Sequence, residues 1–309
     1  MHAVMTTTWA KKAYMHIRDI WPLFPAALYL LTFLIIVFVY LVGLSFSWSS
    51  GQTTIFPTIK PLVSVFANHL FTEAFTNTCL FVLIGTPFEL LTGLFLALIL
   101  YRSFFMRNVI RSIFLIPLAV PALVTAIVLF ILFDFPGGHV NHLLLGKYGI
   151  VPAILPHPLN WRGTKYLALG LALLGKVWRD MPISMLILLA GLNSIDPELF
   201  NAAKTMGAGF RQRMRYIIVP LLIPSFATVI LLRSIEMWKE FIFPFVLAGK
   251  YGLLGTLIES LYNDWGASHE AAVVALVLVL CIVITAFLFL TTVDFFRKRF
   301  AKRYYHVWS

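Results

Sequence analysis

Seven charged residues stand inside stretches that are otherwise apolar, and their spacing sets the first question about this chain. Lys176, Arg179 and Asp180 interrupt one such stretch, and Arg233, Glu236, Lys239 and Glu240 another. At about 100° per helical residue, the first set falls within an arc of ~100° and the second within ~120°. Charges gathered on one stripe of an apolar helix face a bundle interior or a water-filled path, because each is costly against hydrocarbon. Trp178 and Trp238 adjoin the two arcs. Charges of both signs beside flat aromatic faces suit a polyhydroxylated solute, so Trp178, Arg179, Asp180, Arg233, Glu236, Trp238, Lys239 and Glu240 form a candidate solute path. The plainer alternative is structural: Lys176 with Asp180 and Arg233 with Glu236 stand at i, i+4 and i, i+3, where they neutralise each other and tie spans together.

Other reactive residues point to less. Gly170 to Lys176 spells most of a phosphate-binding loop, but Val177 stands where Ser or Thr must reach magnesium, and no strand precedes it. His139, His142 and His157 lack the Cys or carboxylate spacing of a metal site. Cys79 and Cys281 lie within apolar runs and read as small buried residues. No catalytic residue, metal or cofactor is expected, and the chain does not read as an enzyme.

The elements that carry these residues are membrane spans. Of 309 residues 60% are hydrophobic and 12% charged, with 28 Phe and 8 Trp, whereas a soluble domain carries about 25% charged residues. Expected spans cover 22–45, 74–100, 112–133, 166–192, 217–247 and 271–293, in a single domain over 1–309. The first is too long for the core of a cleaved signal peptide, about 7 to 15 residues. A net charge of +11 would suggest nucleic acid in a soluble protein; here the basic residues sit in short segments beside the spans, and nucleic acid is not an expected partner. Fifteen of the 24 Lys and Arg fall in segments 1–22, 102–111, 193–216 and the C-terminal tail, and five in the alternate segments. That bias places both termini and the 193–216 loop on the cytoplasmic side. Segment 134–165, with Pro136, Pro152, Pro156 and Pro158, is expected outside as an ordered loop.

The 193–216 loop is the one inner segment with strong helix signals. Asp196 suits an N-cap, Pro197 the first helical position, Glu198 the positive end of the dipole and Gly207 the stop, giving a helix from Pro197 to about Met206. Leu199, Ala203 and Met206 repeat at i, i+4, i+7, and the rod is about 15 Å long, a knob for a cleft.

The run Asn201-Ala202-Ala203-x3-Gly207-x9-Ile217-x-Val219-Pro220 resembles the E-A-A-x3-G-x9-I-x-L-P loop of permease subunits of binding-protein-dependent ABC importers. Trp178, Pro182, Ala190-Gly191-Leu192, Ile195, Leu199, Ala208 and Pro224 agree with the maltose- and glycerol-phosphate-type members. Two positions depart from the pattern: Asn201 replaces the motif Glu, and Met206 a commonly acidic residue. The resemblance implies an all-α polytopic permease of six transmembrane helices with a cytoplasmic coupling helix, the type I importer fold, in a bacterial or archaeal cytoplasmic membrane. It implies two ATPase subunits that hydrolyse ATP and grip the loop through Asp196, Glu198, Leu199, Asn201, Ala202, Ala203, Gly207, Ile217 and Pro220. A second, non-identical permease and an extracytoplasmic binding protein complete the expected assembly, with a sugar, polyol or sugar phosphate as solute. An ion-coupled secondary transporter, and a membrane-embedded enzyme or scaffold, are the competing classes.

Overall fold

The computed structural model describes residues 21–50, 53–102 and 104–305, with side chains considered up to residue 293. Among the described residues it is a helical bundle with one small hairpin, β1 (Trp48–Ser50) and β2 (Thr53–Ile55), paired antiparallel with Trp48 opposite Ile55. The basic residues expected to anchor the N-terminus, Lys11, Lys12 and Arg18, lie outside the described residues.

Three helices are each long and apolar enough to cross a bilayer: α1 (Phe24–Ser45), a helix we call α3 (His69–Tyr101), and the final helix α13 (Ser268–Tyr305) through Val293. The short α2 (Lys60–Ala67) precedes α3. The expected third span is not one helix. It divides into α4 (Arg107–Ala119) and α5 (Ala122–Leu132), bent by 92°. Pro117 and Pro121 bracket the bend, and neither can donate to a helical hydrogen-bond ladder. The 134–164 segment follows with α6 (His139–Leu144), and then α7 (Lys165–Asn193), 29 residues and ~44 Å long.

A 70° turn leads from α7 into α8 (Pro197–Thr205). The expected fifth span is also broken. Its first part, α9 (Phe210–Leu221), widens to a π turn over Met214–Ile218 and meets α10 (Ile223–Trp238) at 67°, with Pro220 and Pro224 on either side of the bend. After α10 the chain kinks through Lys239 and Phe241 into α11 (Ile242–Leu247), then α12 (Leu254–Glu259) before α13. Up to six spans result when each bent pair is taken as one.

The middle of the bundle is α3, α7 and α10, packed closely. A Cβ on Gly93 of α3 would sit 2.7 Å from Ser184 Cβ of α7, so only glycine permits that approach. The core is divided into two apolar clusters. One uses Phe81 and Val82 of α3, Ala172 and Val177 of α7 and Met237 of α10. The other uses Leu96 and Leu100, Met185 and Leu188, and Leu222 and Val229 from the same segments of chain. By contrast, Leu28 to Tyr40 of α1 are exposed at every position, as a helix facing lipid or another subunit must be.

This segment before α7 is ordered around one buried amide. Asn141, fully buried, donates to Asp134 O and Leu159 O and accepts from Leu159 N and Trp161 Nε1. His139 bonds Tyr148 Oη at 2.6 Å, and Arg162 pairs with Asp134 at 3.3 Å.

Candidate functional site

Between the two apolar clusters lies a polar layer. On α3 the gap between Val82 and Leu96 holds Glu89; on α7 that between Val177 and Met185 holds Asp180 and Ser184; on α10 that between Val229 and Met237 holds Arg233 and Glu236. The sequence spacing brings the clusters' gaps level, and the charges meet there.

Arg233 and Glu89 are both completely buried, and Arg233 Nη1 donates to Glu89 Oε1 at 3.1 Å. Ser184 donates to the same oxygen at 3.2 Å. Arg233 also reaches Glu236 at 2.7 Å, one turn on. Glu236 lies 3.8 Å from Lys176, which pairs with Asp180 and, at 3.1 Å, with Glu240. Arg179 contacts Asp180 at 2.5 Å from the rim. Glu240 accepts from Phe243 N at 3.2 Å and so holds the start of α11. Three cations and four carboxylates thus form one chain of ion pairs across α3, α7 and α10. The two local pairs suggested by spacing are present, but each is also joined to another helix.

Exposure grades across this layer. Glu89, Lys176, Asp180 and Arg233 are buried, whereas the Glu236 side chain keeps 24% of its exposure and Arg179 28%. Trp178 is exposed beside them. Lys239 caps α10, is exposed, and joins no ion pair among the described residues. Trp238 turns elsewhere: it is buried and donates through Nε1 to Thr285 of α13 at 3.1 Å. Glu89 and Ser184 were missed as site residues. Glu89 had a signal, as the sole charge of its span; Ser184 had none.

The bend shortens the straight helical path to the layer. Counting 16 residues from Ile217 to Arg233 gives ~24 Å. The 67° bend at Leu222 means that the straight part begins at Ile223, so Arg233 lies only ~15 Å along it.

At the far end of α7, Asp196 Oδ1 accepts from Glu198 N at 2.9 Å and caps α8, with Pro197 in the first turn. The helix ends in a Schellman motif: Ala208 N donates to Ala203 O at 2.9 Å and Gly207 N to Lys204 O at 3.0 Å, with Gly207 at φ 77°. The inward face is Phe200, tilted against Tyr101 with centroids 5.8 Å apart, and buried Ala203. Ala203 therefore does not share the free face with Leu199 and Met206, both of which are exposed, as are Glu198, Asn201 and Ala202. Ile217 and Ile218 root the following segment in the apolar cluster that holds Leu222, and Pro220 stands at the bend.

Residues 89–305 match the family of binding-protein-dependent transport system inner membrane components. The chain belongs to this family. The match begins at Glu89, and it takes in the polar layer, α8 and every helix after them. The permease is 32% identical over 210 residues to the trehalose/maltose transport system permease protein MalF of Thermococcus litoralis, covering 66% of this chain and 69% of that protein. It is 32% identical over 275 residues to the sulfoquinovosyl glycerol transport system permease protein SmoG of Agrobacterium fabrum, covering 84% and 85%. Its fold matches a chain in the crystal structure of a bacterial ABC transporter involved in import of the polysaccharide alginate, with TM-score 0.75 and 17% identity over 92% of this chain and 98% of that one. The protein is thus a helical, multi-pass membrane permease of a binding-protein-dependent ABC importer. Family membership decides against the ion-coupled alternative, and these relatives are transport proteins, not enzymes.

Proposed function

We propose that the permease forms half of a translocation path for a sugar, or a related polyol or sugar phosphate, in the cytoplasmic membrane of a bacterium or archaeon. Both termini and α8 face the cytoplasm. Two separate ATPase subunits hydrolyse ATP, each gripping one coupling helix. A second, non-identical permease supplies the other half, and an extracytoplasmic binding protein delivers the solute. The solute class is supported by relatives whose names specify trehalose and maltose, and sulfoquinovosyl glycerol.

The observation that carries the reading is the graded polar layer. Its buried members, Glu89, Arg233, Lys176 and Asp180, are satisfied against one another and tie α3, α7 and α10 together. Its rim, Trp178, Arg179 and Glu236, keeps part of its surface exposed. A path shared between two permeases has its wall on such a rim. Ties and path residues are therefore different members of one cluster, and Lys239 stands with the rim as a further exposed charge. Asp196, Glu198, Leu199, Asn201, Ala202, Ala203 and Gly207 build the coupling knob, which Ile217 and Pro220 join to α10.

The test measures assembled complex, ATP hydrolysis and uptake of labelled disaccharides together. Glu236→Gln and Trp178→Ala should leave assembly near that of the unmodified protein, while uptake per complex falls or changes its solute preference. Uptake that falls only in proportion to assembled complex in both variants would place the path elsewhere.

A further inference from the structure

A cleft of about 1030 Å³ opens where the C-terminal end of α3 meets α8 and α9. Its wall is apolar, formed by Phe95, Leu98 and Phe104 among others, and three cations stand around it: Arg102, Lys204 and Arg213. No Asp or Glu lines the cleft. None of the three cations has an ion-pair partner among the described residues, and Arg213 Nε is buried without a hydrogen-bond acceptor. The polar layer, about 18 Å further along α3 at Glu89, is separate from it.

We propose that this cleft holds one anionic glycerophospholipid of the cytoplasmic leaflet, its phosphate between Arg102, Lys204 and Arg213 and an acyl chain along Phe95 and Leu98. The argument is the pairing of two chemistries at one depth. Unpaired guanidinium groups call for an anion, and Arg holds phosphate through paired donors. A free phosphate or sugar phosphate would leave the apolar wall without a partner, whereas an apolar peptide segment would leave the cations without one. Only an amphiphile answers both. The place agrees, because the basic end of a membrane helix on the cytoplasmic side lies at the level of the lipid headgroups. The chain's own first 20 residues do not complement the site, since they carry Lys11, Lys12 and Arg18 against the single acid Asp19. Of α8, Pro197, Phe200, Asn201 and Lys204 line the cleft, and an ATPase subunit would meet the face that carries Glu198, Leu199, Ala202 and Met206, none of which lines it.

The complex with its ATPases and second permease is reconstituted in nanodiscs of equimolar phosphatidylglycerol and phosphatidylcholine, then released for native mass spectrometry of retained lipid. At roughly a factor of five for each cation near the phosphate, the unmodified complex should retain phosphatidylglycerol at least about tenfold over phosphatidylcholine. The Arg102→Gln/Lys204→Gln/Arg213→Gln variant should lose that preference. Arg211→Gln/Arg215→Gln, which changes cations that do not line the cleft, should keep it, and Arg102→Lys/Arg213→Lys should keep most of it with the fold undisturbed. Equal retention of both lipids by the unmodified complex overturns the proposal. So does unchanged preference in the triple variant, displacement of the lipid by inorganic phosphate, or protection of a Leu98→Cys thiol only when the ATPase is bound.

Discussion

Glu89→Leu is the sharpest perturbation of the polar layer. Glu89 and Arg233 have no exposed side-chain surface and meet at 3.1 Å. Removing one member of a buried ion pair costs about 3–5 kcal/mol, because the remaining charge stays desolvated. Arg233 would keep Glu236 at 2.7 Å, which sets the expectation at the lower end, about 3 kcal/mol, or two powers of ten in the folding equilibrium. Glu236→Leu removes a group that retains 24% of its exposure, and it leaves Arg233 with Glu89 and Lys176 with Asp180 and Glu240. Its cost should be near that of an exposed pair, about 0–1 kcal/mol. The double variant Glu89→Leu/Arg233→Leu removes both buried charges and should recover most of the lost stability. Thermal melting and assembled yield of the purified complex report all three. Equal losses for Glu89→Leu and Glu236→Leu, or a double variant worse than either single one, would refute the division into buried tie and open rim.

Gly207→Val should uncouple ATP hydrolysis from uptake: a β-branched residue at φ 77° strains the Schellman turn by about 1–2 kcal/mol, and normal coupling in an assembled Gly207→Val complex would count against α8 as the coupling element. Topology is checked by impermeant thiol labelling of single cysteines in a cysteine-free protein, at Ile150, which is 78% exposed, and at exposed Arg211. The two should label from opposite faces. Asn141 is unsuitable for the outer position, because its buried amide holds the loop together.

What could be read from the sequence was what depends on local chemistry. Asp196, Pro197 and Gly207 each act through atoms one to five residues away, so α8 and its caps follow from residue types alone. Hydrophobic runs gave the helices their approximate extents, but not the bends, because a proline permits a kink without dictating its angle. Pro117 and Pro121 accompany 92°, whereas Pro182 sits inside the unbroken α7. The layer was legible only in part. Spacing within one helix disclosed Lys176 with Asp180 and Arg233 with Glu236, while the bond from Arg233 to Glu89 joins residues 144 apart in sequence. Adjacency in sequence groups Trp238 with the charges, yet neighbouring helical residues point about 100° apart, and it faces Thr285.

The bends also change how motion at α8 can reach the polar layer. A single rigid fifth span would act as a lever running straight from the coupling loop to Glu236, but the chain turns 67° at Leu222 and cannot transmit force along one axis. The contact that remains is lateral. Ile195, at the start of the loop, lies in the same apolar cluster as Ile218 and Leu222, and a Cβ on Gly191 would sit 2.2 Å from Ser225 Oγ and 2.8 Å from Leu222 Cδ2. The end of α7 and the elbow before α10 are thus packed with no slack. A shift of α8 would move these two segments together, and they enter the layer with Lys176 and Asp180 on one and Arg233 and Glu236 on the other, joined across by Lys176 to Glu236 at 3.8 Å. Only Glu89, on α3, belongs to neither. Relative movement between that pair and α3 would load the two bonds to Glu89, from Arg233 at 3.1 Å and from Ser184 at 3.2 Å, before those that join α7 to α10.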